Sequence, residues 1–167
     1  MHQPAMFGAI VVRAATDDDR AALEQLVGDG VNGTAYHDVP RYFLRLALTG
    51  RNDESRAIVA VRDGTVIGCA LYGSVAGAVG TTRIHFIVVA NPDRRAGTAR
   101  ALCGAVLGDA SAHGTRSVIV EMPDEAAFRA GHALLEKCGF APVARVADYY
   151  RDGVALVVMH HAVAPVD

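Results

Sequence analysis

The segment from residue 84 to residue 112 constrains the fold more than any other part of the sequence. It consists of an apolar strand candidate over Ile84 to Ala90, a short basic loop, and an alanine- and leucine-rich helix that runs to about Ala112. Such a helix begins with backbone N–H groups that have no partner inside the helix, and its dipole places positive charge at the same end. The pattern therefore predicts an anion-binding loop between a sheet strand and a helix.

The loop carries residue types that suit phosphate. Gly97 allows a ligand to approach the backbone closely, and Arg94, Arg95 and Arg100 add positive charge. G-x-x-x-x-G-K-S/T does not occur in the sequence, and G-x-G-x-x-G occurs only at Gly28–Gly33, where it follows a predicted helix and not a strand. Neither common phosphate-loop pattern is therefore present in the strand-to-helix context that it requires. The spacing found instead is Arg94-x-x-Gly97-x-Ala99.

Length and composition restrict the class of protein. With 167 residues, of which 51% are hydrophobic, we expect a single domain over residues 1–167, with an ordered core over about residues 9–161. No apolar run approaches the roughly 18 residues of a membrane helix, and the first residues lack a signal-peptide pattern. We therefore expect no membrane partner.

Charge and cysteine usage narrow the class further. The net charge of −2 disfavours a general nucleic-acid surface, so any anion site has to be local. Cys69, Cys103 and Cys138 are far apart and form no C-x-x-C pair. This pattern predicts neither a disulfide framework nor a metal site, and it favours the cytoplasm.

Hydrophobic periodicity and turn residues predict the order of the elements. Strands are predicted over Ile10–Arg13, Ala57–Val61, Thr65–Tyr72, Thr82–Ala90, Ser117–Glu121, Val143–Tyr149 and Ala155–His160. Helices are predicted from Thr16 to Gly28-Asp29-Gly30, over Pro40–Thr49, from the arginine loop to about Ala112, and from Pro123-Asp124 to near Cys138, with a loose turn over Gly73–Gly80. The order β-α-α-β-β-β-α-β-α-β-β indicates an α/β (α+β) fold, a mixed, mostly antiparallel sheet with helices on both faces.

Three segments resemble the GNAT family of N-acetyltransferases. Arg94-x-x-Gly97-x-Ala99 matches the family's pyrophosphate loop, Arg/Gln-x-x-Gly-x-Gly/Ala. Glu136–Phe140 resembles the closing helix with its Gly-Phe end, and Asp148–Gly153 resembles the turn that follows in many bacterial members. The element order is also the family's, so the resemblance covers nearly the whole chain. It implies the acyl-CoA N-acyltransferase fold and an enzyme that uses acetyl-CoA and no metal.

The resemblance also implies which residues bind acetyl-CoA. The pyrophosphate would bind the loop and the first helical turn, namely Arg94, Arg95, Ala96, Gly97, Thr98, Ala99 and Arg100. The pantetheine would pair, as an added strand does, with the backbone of Ile87, Val88 and Val89. An N–H of Val88 or Val89 would polarise the thioester carbonyl. The same three residues suit a plain core strand, and both interpretations can hold because the contact is through the backbone.

His85 is the candidate general base. Members of the family often carry a Glu or His base on this strand, and an imidazole with a pKa near about 6.5 suits deprotonation of an ammonium, directly or through water. The rate should then rise with pH through the histidine titration. Strand alternation predicts that Arg83, His85, Ile87 and Val89 share one face. The alternative is a partly buried histidine without a catalytic role.

The general acid departs from the family's pattern. The usual tyrosine on the closing helix, five residues before the Phe of Gly-Phe, is Leu135 here. Leucine cannot donate a proton, so Tyr149 and Tyr150 are the candidate acids, and alternation directs one of them inward, with Tyr149 preferred. Packing roles for both, Cys138 as the donor, and a mechanism without an acid are the alternatives, because a thiolate leaves well unaided.

Two functions of different classes agree with these residues. The first is acetyl transfer to a primary amine of a small molecule, peptide or protein, by direct attack in a ternary complex. Tyr36 and His37 lie on the connection that forms the family's acceptor wall, so they are either substrate-binding or plain loop residues. The second is a non-catalytic acyl-CoA-binding domain, which Leu135 favours. Transfer of another acyl group is a third possibility, and we expect a monomer or homodimer.

Overall fold

The computed structural model describes residues 8–50, 54–94 and 96–164. Among these residues, seven strands and four α-helices follow the predicted order. The strands are β1 (Val11–Ala14), β2 (Arg56–Arg62), β3 (Thr65–Val75), β4 (Ala78–Val89), β5 (Ser117–Pro123), β6 (Ala141–Arg151) and β7 (Val154–Ala162). The helices are α1 (Arg20–Val31), α2 (Asp38–Thr49), α3 (Thr98–Ala112) and α4 (Arg129–Lys137).

The strands form a sheet in the order β1-β2-β3-β4-β5-β7-β6. Neighbouring strands pair antiparallel, except that β4 and β5 run parallel. On one face, Leu23 of α1 and Leu44 of α2 belong to the buried core. On the other face, Leu102 of α3 and Leu135 of α4 belong to a second core. The predicted fold class, a mostly antiparallel mixed sheet with helices on both faces, is confirmed.

The pairing between β4 and β5 is short. It covers Thr81–Ile84 of β4 and Ser117–Val120 of β5. Beyond these residues β4 continues to Val89 and β5 to Pro123, and in the described part of the chain the two stretches do not pair. We call this gap the fork. Because α3 follows β4 and leads into the parallel strand β5, its N-terminus lies at the open end of the fork.

A β-bulge interrupts β4 at His85. Its neighbours Ile84 and Phe86 pair with consecutive residues of β3, which leaves His85 as the extra residue. The prediction that His85 and Ile87 share a face is therefore wrong. Ile87 packs against the core on the α3 side, whereas His85 stacks on Phe43 of α2.

The end of α1 also differs from the prediction. Gly28 and Gly30 do not end the helix, which runs on to Val31. A Cβ placed on Gly30 would lie 2.6 Å from Val88 Cγ2, so the glycine allows α1 to pack closely against β4. Glycine is needed here for close packing between a helix and a strand. From the sequence alone, such a glycine cannot be distinguished from one that ends a helix.

Two further boundaries lie elsewhere than predicted. Strand β3 extends to Val75 and β4 begins at Ala78, so most of the predicted loose turn over Gly73–Gly80 is strand. Pro123 does not begin a helix but ends β5. A 3-10 turn over Ala126–Phe128 then leads into α4.

Candidate active site

The N-terminus of α3 is shaped as an anion site. Gly97 precedes the helix with a φ of 83°, a left-handed conformation that favours glycine. The Ala101 N–H donates to the Gly97 carbonyl at 2.9 Å, so the N–H groups of Thr98, Ala99 and Arg100 lack an intrahelical partner. A Cβ on Gly97 would meet no heavy atom within 4 Å among the described residues. The backbone is therefore open to a ligand here.

One ion pair neutralises the acidic residue that adjoins the basic loop. Asp93, just before the loop, pairs with Arg62 of β2 at 2.5 Å, which offsets the acidic charge. Arg94 is exposed, and its Nε donates to the Val89 carbonyl at 3.2 Å. This bond connects the basic loop to the end of β4. Arg95 lies outside the described residues.

The remaining predicted loop residues surround the helix N-terminus. Ala96 and Arg100 are exposed, and Ala99 is half-buried. Thr98 is buried, and its hydroxyl has no hydrogen-bond partner in the part of the chain that the structure describes. A polar atom without a partner thus lies in the first turn of the helix.

The strand edge predicted for pantetheine borders the fork. One edge of β4 pairs with β3 through Ile87, Val88 and Val89, and the opposite edge faces the gap beside β5. The side chains of Ile87 and Val89 pack in the core on the α3 side, and that of Val88 packs in the core on the α1 side. The segment is therefore a core strand whose outer backbone edge lies along the fork.

His85 is held in a single orientation. Its ring stacks on Phe43 with the centroids 3.5 Å apart, and its Nε2 lies 2.7 Å from the Glu54 carbonyl oxygen. A carbonyl only accepts, so Nε2 carries the hydrogen and Nδ1 carries the lone pair. Nδ1 is buried and has no hydrogen-bond partner among the described residues. Burial lowers the pKa of His85 to about 4, so the ring is neutral near neutral pH.

An ion pair bridges the two strands where their pairing ends. The Arg83 guanidinium of β4 donates to the Glu121 carboxylate of β5. Both residues lie next to the last backbone pairs, at the apex of the fork. Burial raises the pKa of Tyr150 on β6 to about 12, and the charge of Glu121 acts in the same direction while that of Arg83 opposes it. The Tyr150 hydroxyl is therefore protonated near neutral pH.

The two candidate acids point in different directions. Asp148 has a φ of 52°, and its carboxylate accepts the Gly153 N–H at 2.7 Å. The register of β6 against β7 shifts between Val146 and Arg151. Across this irregular stretch Tyr149 is 56% exposed, whereas Tyr150 is half-buried. The tyrosine that turns inward is Tyr150, so the preference for Tyr149 is reversed.

Tyr36 and His37 occupy different environments. The ring of Tyr36 lies between those of Phe128 and Tyr150, with both centroid distances at 5.3 Å. We call these three rings the aromatic trio. His37 is exposed at the start of α2, and its Nδ1 lies 3.3 Å from the Thr34 carbonyl oxygen. The structure brings Tyr36 toward Tyr150 and leaves His37 on the surface.

The acetyltransferase (GNAT) family model matches residues 20–140 of the sequence. The chain belongs to the GNAT acetyltransferase family. The matched region includes the fork, the loop before α3 and the closing helix.

Solved structures share the GNAT fold. A GNAT-family structure from Desulfovibrio desulfuricans has a TM-score of 0.84 and 23% identity, over 93% of this chain and 100% of that one. The yncA structure from Salmonella typhimurium, which contains its cofactor acetyl-CoA, has a TM-score of 0.77 and 20% identity, over 94% and 95%. A GCN5-related N-acetyltransferase from Kribbella flavida has a TM-score of 0.74 and 25% identity, over 92% and 98%. No curated protein matches the sequence significantly.

The position in α4 for which the resemblance implies a tyrosine acid is filled by a buried leucine. Leu135 is 3% exposed and belongs to the core on the α3 side, so its position in α4 serves packing. Cys138, at the end of the same helix, is half-buried and packs against that core. The ion pair at the apex of the fork comes from β4 and β5.

One charged residue at the fork had no local sequence signal. Glu121 pairs with Arg83 because β5 lies beside β4, and no sequence motif links the two residues. In the described ranges no cluster of three His, Cys, Asp or Glu side chains is placed to hold a metal ion. Every helix described is too short or too polar to cross a bilayer.

Proposed function

We propose that this GNAT protein is an acetyl-CoA-dependent N-acetyltransferase and that the whole chain is one such domain. The acceptor is a primary amine of a small molecule, peptide or protein, which attacks directly in a ternary complex. The observation that carries this proposal is the position of the fork. Its free strand edge on β4 leads straight to the exposed N-terminus of α3 at Gly97.

The residues present fit acetyl-CoA. A pantetheine arm has amides that can pair with the free edge at Ile87–Val89, and a pyrophosphate suits the unpartnered N–H groups and positive charge at the start of α3. Gly97 keeps the approach to that backbone open. Arg94 and Arg100 supply cations, with Arg95 proposed as a third. The presence of acetyl-CoA in the fold neighbour yncA supports the assignment.

Acetyl-CoA supplies a thioester, whose carbonyl an amine attacks to form an amide and release a thiol. A backbone N–H of Val88 or Val89 at the fork donates a hydrogen bond to the carbonyl oxygen and stabilises the charge that develops there. Because these donors are fixed by the pairing of β4 with β3, they need little reorganisation during the reaction.

His85 is the proposed acceptor of the amine's proton. Its hydrogen bond to Glu54 leaves the Nδ1 lone pair free to take a proton. Because Nδ1 is buried, the proton reaches it, directly or through water, only when the packing around the ring opens. The pKa of about 4 keeps the ring neutral over the working pH range, at the expense of basicity.

Tyr150 is the proposed donor to the leaving sulfur. Its pKa of about 12 keeps the hydroxyl protonated, and its electrostatic interaction with Arg83 and Glu121 supports a role near the apex of the fork. A thiolate leaves without full protonation, so the hydrogen bond assists the step and is not indispensable. Tyr149, which is exposed, is the less favoured donor.

The second candidate function is a non-catalytic acyl-CoA-binding domain. The burial of Leu135 in the core favours it, because the family's usual donor position is used for packing. Both functions need the loop at Gly97, and they differ in turnover. Incubation with acetyl-CoA and a panel of primary amines should release free thiol from the enzyme and none from the binding domain.

The cofactor site is tested by calorimetry with acetyl-CoA. Gly97→Val should weaken binding by about tenfold or more, because a β-branched residue is strained at a φ of 83° and crowds the helix N-terminus. The matched control is Gly104→Val, since Gly104 lies on the same helix and has no described heavy atom within 4 Å of its Cβ position. Unchanged affinity in a folded Gly97→Val protein would contradict both candidate functions.

A further inference from the structure

Arg62 reaches the basic loop from a neighbouring hairpin. It is the last residue of β2 and pairs with Thr65 of β3, and its Nη1 donates to Asp93 Oδ1 at 2.5 Å. The two residues of this ion pair are 31 positions apart in the sequence. Their side chains are only 12% and 18% exposed, so salt screens their attraction less than it would at the surface.

The turn that carries Asp93 is also held by backbone bonds. Asp93 ends the 3-10 turn Asn91–Asp93, and its N–H donates to the Ala90 carbonyl at 3.0 Å. The Ala90 N–H donates in turn to the Ile67 carbonyl of β3 at 2.9 Å. These bonds attach the turn to β3 and to the end of β4 without the Asp93 side chain. Fastening the turn therefore does not by itself explain the ion pair.

Asp93 is the one acidic residue in a strongly basic stretch. Residues 91–100 contain three arginines and no other acid. Gly97, where the backbone is open to a ligand, comes four residues after Asp93, and four residues span at most about 14 Å. At about 10 mM ionic strength, charges interact over about 30 Å. An unpaired carboxylate here would therefore repel a pyrophosphate bound at the start of α3.

An unpaired Asp93 would also compete with the ligand for the arginines of the loop. Arg94 follows Asp93 directly and is exposed, and its Nε donates to the Val89 carbonyl at 3.2 Å. The Asp93 carboxylate is instead paired with Arg62, on the side of β2. The charge of Arg94 thus stays available to a bound anion.

We propose that Arg62 is a positioning residue of the acetyl-CoA site. It holds the Asp93 carboxylate against the end of β2 and neutralises it, so that the start of α3 stays attractive to a pyrophosphate. Arg62 needs no contact with the ligand, because it acts through Asp93. The inference rests on the cofactor site of the proposed function, which the second candidate function shares, and it adds a residue that lies outside the loop motif.

Calorimetric titration with acetyl-CoA at about 10 mM ionic strength tests this role. Arg62→Met removes the charge and should raise Kd roughly threefold to tenfold, the effect of one like charge near a pyrophosphate at a protein surface. Arg62→Lys keeps the charge, so its Kd should stay within about twofold of the wild-type value. Thermal unfolding without ligand checks that each variant is folded.

Asp93→Asn separates a charge effect from a mechanical one. It breaks the same ion pair but removes the acid, so it should bind acetyl-CoA at least as tightly as the wild type does. The double variant, Arg62→Met with Asp93→Asn, should return to the wild-type Kd. An ion pair that only fastened the loop would give a different result, because both single variants would then bind weakly and the double variant would not recover.

Salt and a second ion pair provide two controls. At about 0.5 M NaCl the screening length falls to about 4 Å, so Arg62→Met should bind acetyl-CoA nearly as well as the wild type does at that salt concentration. Arg13→Met breaks the ion pair between Arg13 and Asp19, which is 2.6 Å long and lies outside the loop. It should leave the Kd for acetyl-CoA unchanged at both salt concentrations.

Two results would contradict the inference alone, namely a wild-type Kd in folded Arg62→Met at low salt, or an Asp93→Asn protein that binds as weakly as Arg62→Met. A wild type that does not bind acetyl-CoA contradicts both candidate functions and, with them, this inference.

Discussion

Mild acid should destabilise this protein through His85. Burial holds the pKa of the folded imidazole near 4, against 6.5 for an unperturbed histidine. The folded pKa is the lower one, so the unfolded chain binds more protons between these two values. The stability that the neutral ring provides is therefore complete above about pH 6.5, and it is lost as the pH falls toward 4.

The size of the effect follows from proton linkage. At about pH 5 an unfolded histidine is almost fully protonated, whereas His85 in the folded chain is about one-tenth protonated. The free energy of unfolding should then be about 2 kcal/mol lower than at about pH 7.5. For a chain of this size the melting temperature should fall by about 4–8 °C. Asp19, whose pKa Arg13 holds below its usual range, titrates at lower pH and contributes little here.

Urea denaturation at the two pH values measures this difference. His85→Gln retains an N–H donor for the Glu54 carbonyl and has no titrating ring. Between the two pH values its free energy of unfolding should therefore fall by about 2 kcal/mol less than that of the wild type. His132→Gln is the matched control, because His132 also lies beside a backbone carbonyl, that of Pro123, at 3.2 Å, and it should keep the wild-type slope. If His85→Gln kept the full pH dependence of the wild type, burial of His85 could not be its cause.

Three further outcomes are expected. Gly30→Ala should lower the free energy of unfolding by about 1–3 kcal/mol, because the new Cβ overlaps Val88 of β4. Gly28→Ala is the control, because its Cβ meets no described atom within 4 Å. It should raise the free energy of unfolding by about 0.5–1 kcal/mol in the same denaturation assay. Tyr150→Phe should reduce turnover about tenfold while Tyr149→Phe leaves it unchanged, and wild-type turnover in both variants would exclude a hydroxyl donor. His85→Gln should reduce turnover about 100-fold with unchanged acetyl-CoA affinity, and the wild-type rate should show no His85 inflection near pH 6.5, because that titration lies near 4.

Local patterns were sufficient for the part of the site that is continuous in sequence. The strand, the basic loop and the helix over residues 84–112 adjoin one another, so their mutual placement follows from chain connectivity and from the unpaired N–H groups at the start of α3. Gly97 was predictable as the point of close approach, because its place between strand and helix requires a compact loop. The order of strands and helices was predictable from local patterns too. The spacing of apolar residues within each segment indicates whether it is a strand or a helix and which face is buried.

Strand and helix boundaries were less predictable where a glycine or proline is explained by a contact or boundary in the folded chain. Position 30 requires glycine because α1 packs closely against Val88 of β4 there. That contact joins residues far apart in sequence. Pro123 ends a strand rather than beginning a helix. In both cases the residue type signals a special backbone position, and only the neighbouring element shows which kind it is.

The arrangement of side chains around the apex of the fork was decided by tertiary structure alone. A bulge in β4 turns His85 away from the face that alternation predicts, and an irregular stretch of β6 turns Tyr150 inward in place of Tyr149. The Arg83–Glu121 pair and the aromatic trio depend on the register between strands and on how connections pack across the sheet. A single sequence specifies which residues alternate along a strand, but a one-residue shift in pairing reverses the faces, and that shift depends on contacts between distant segments.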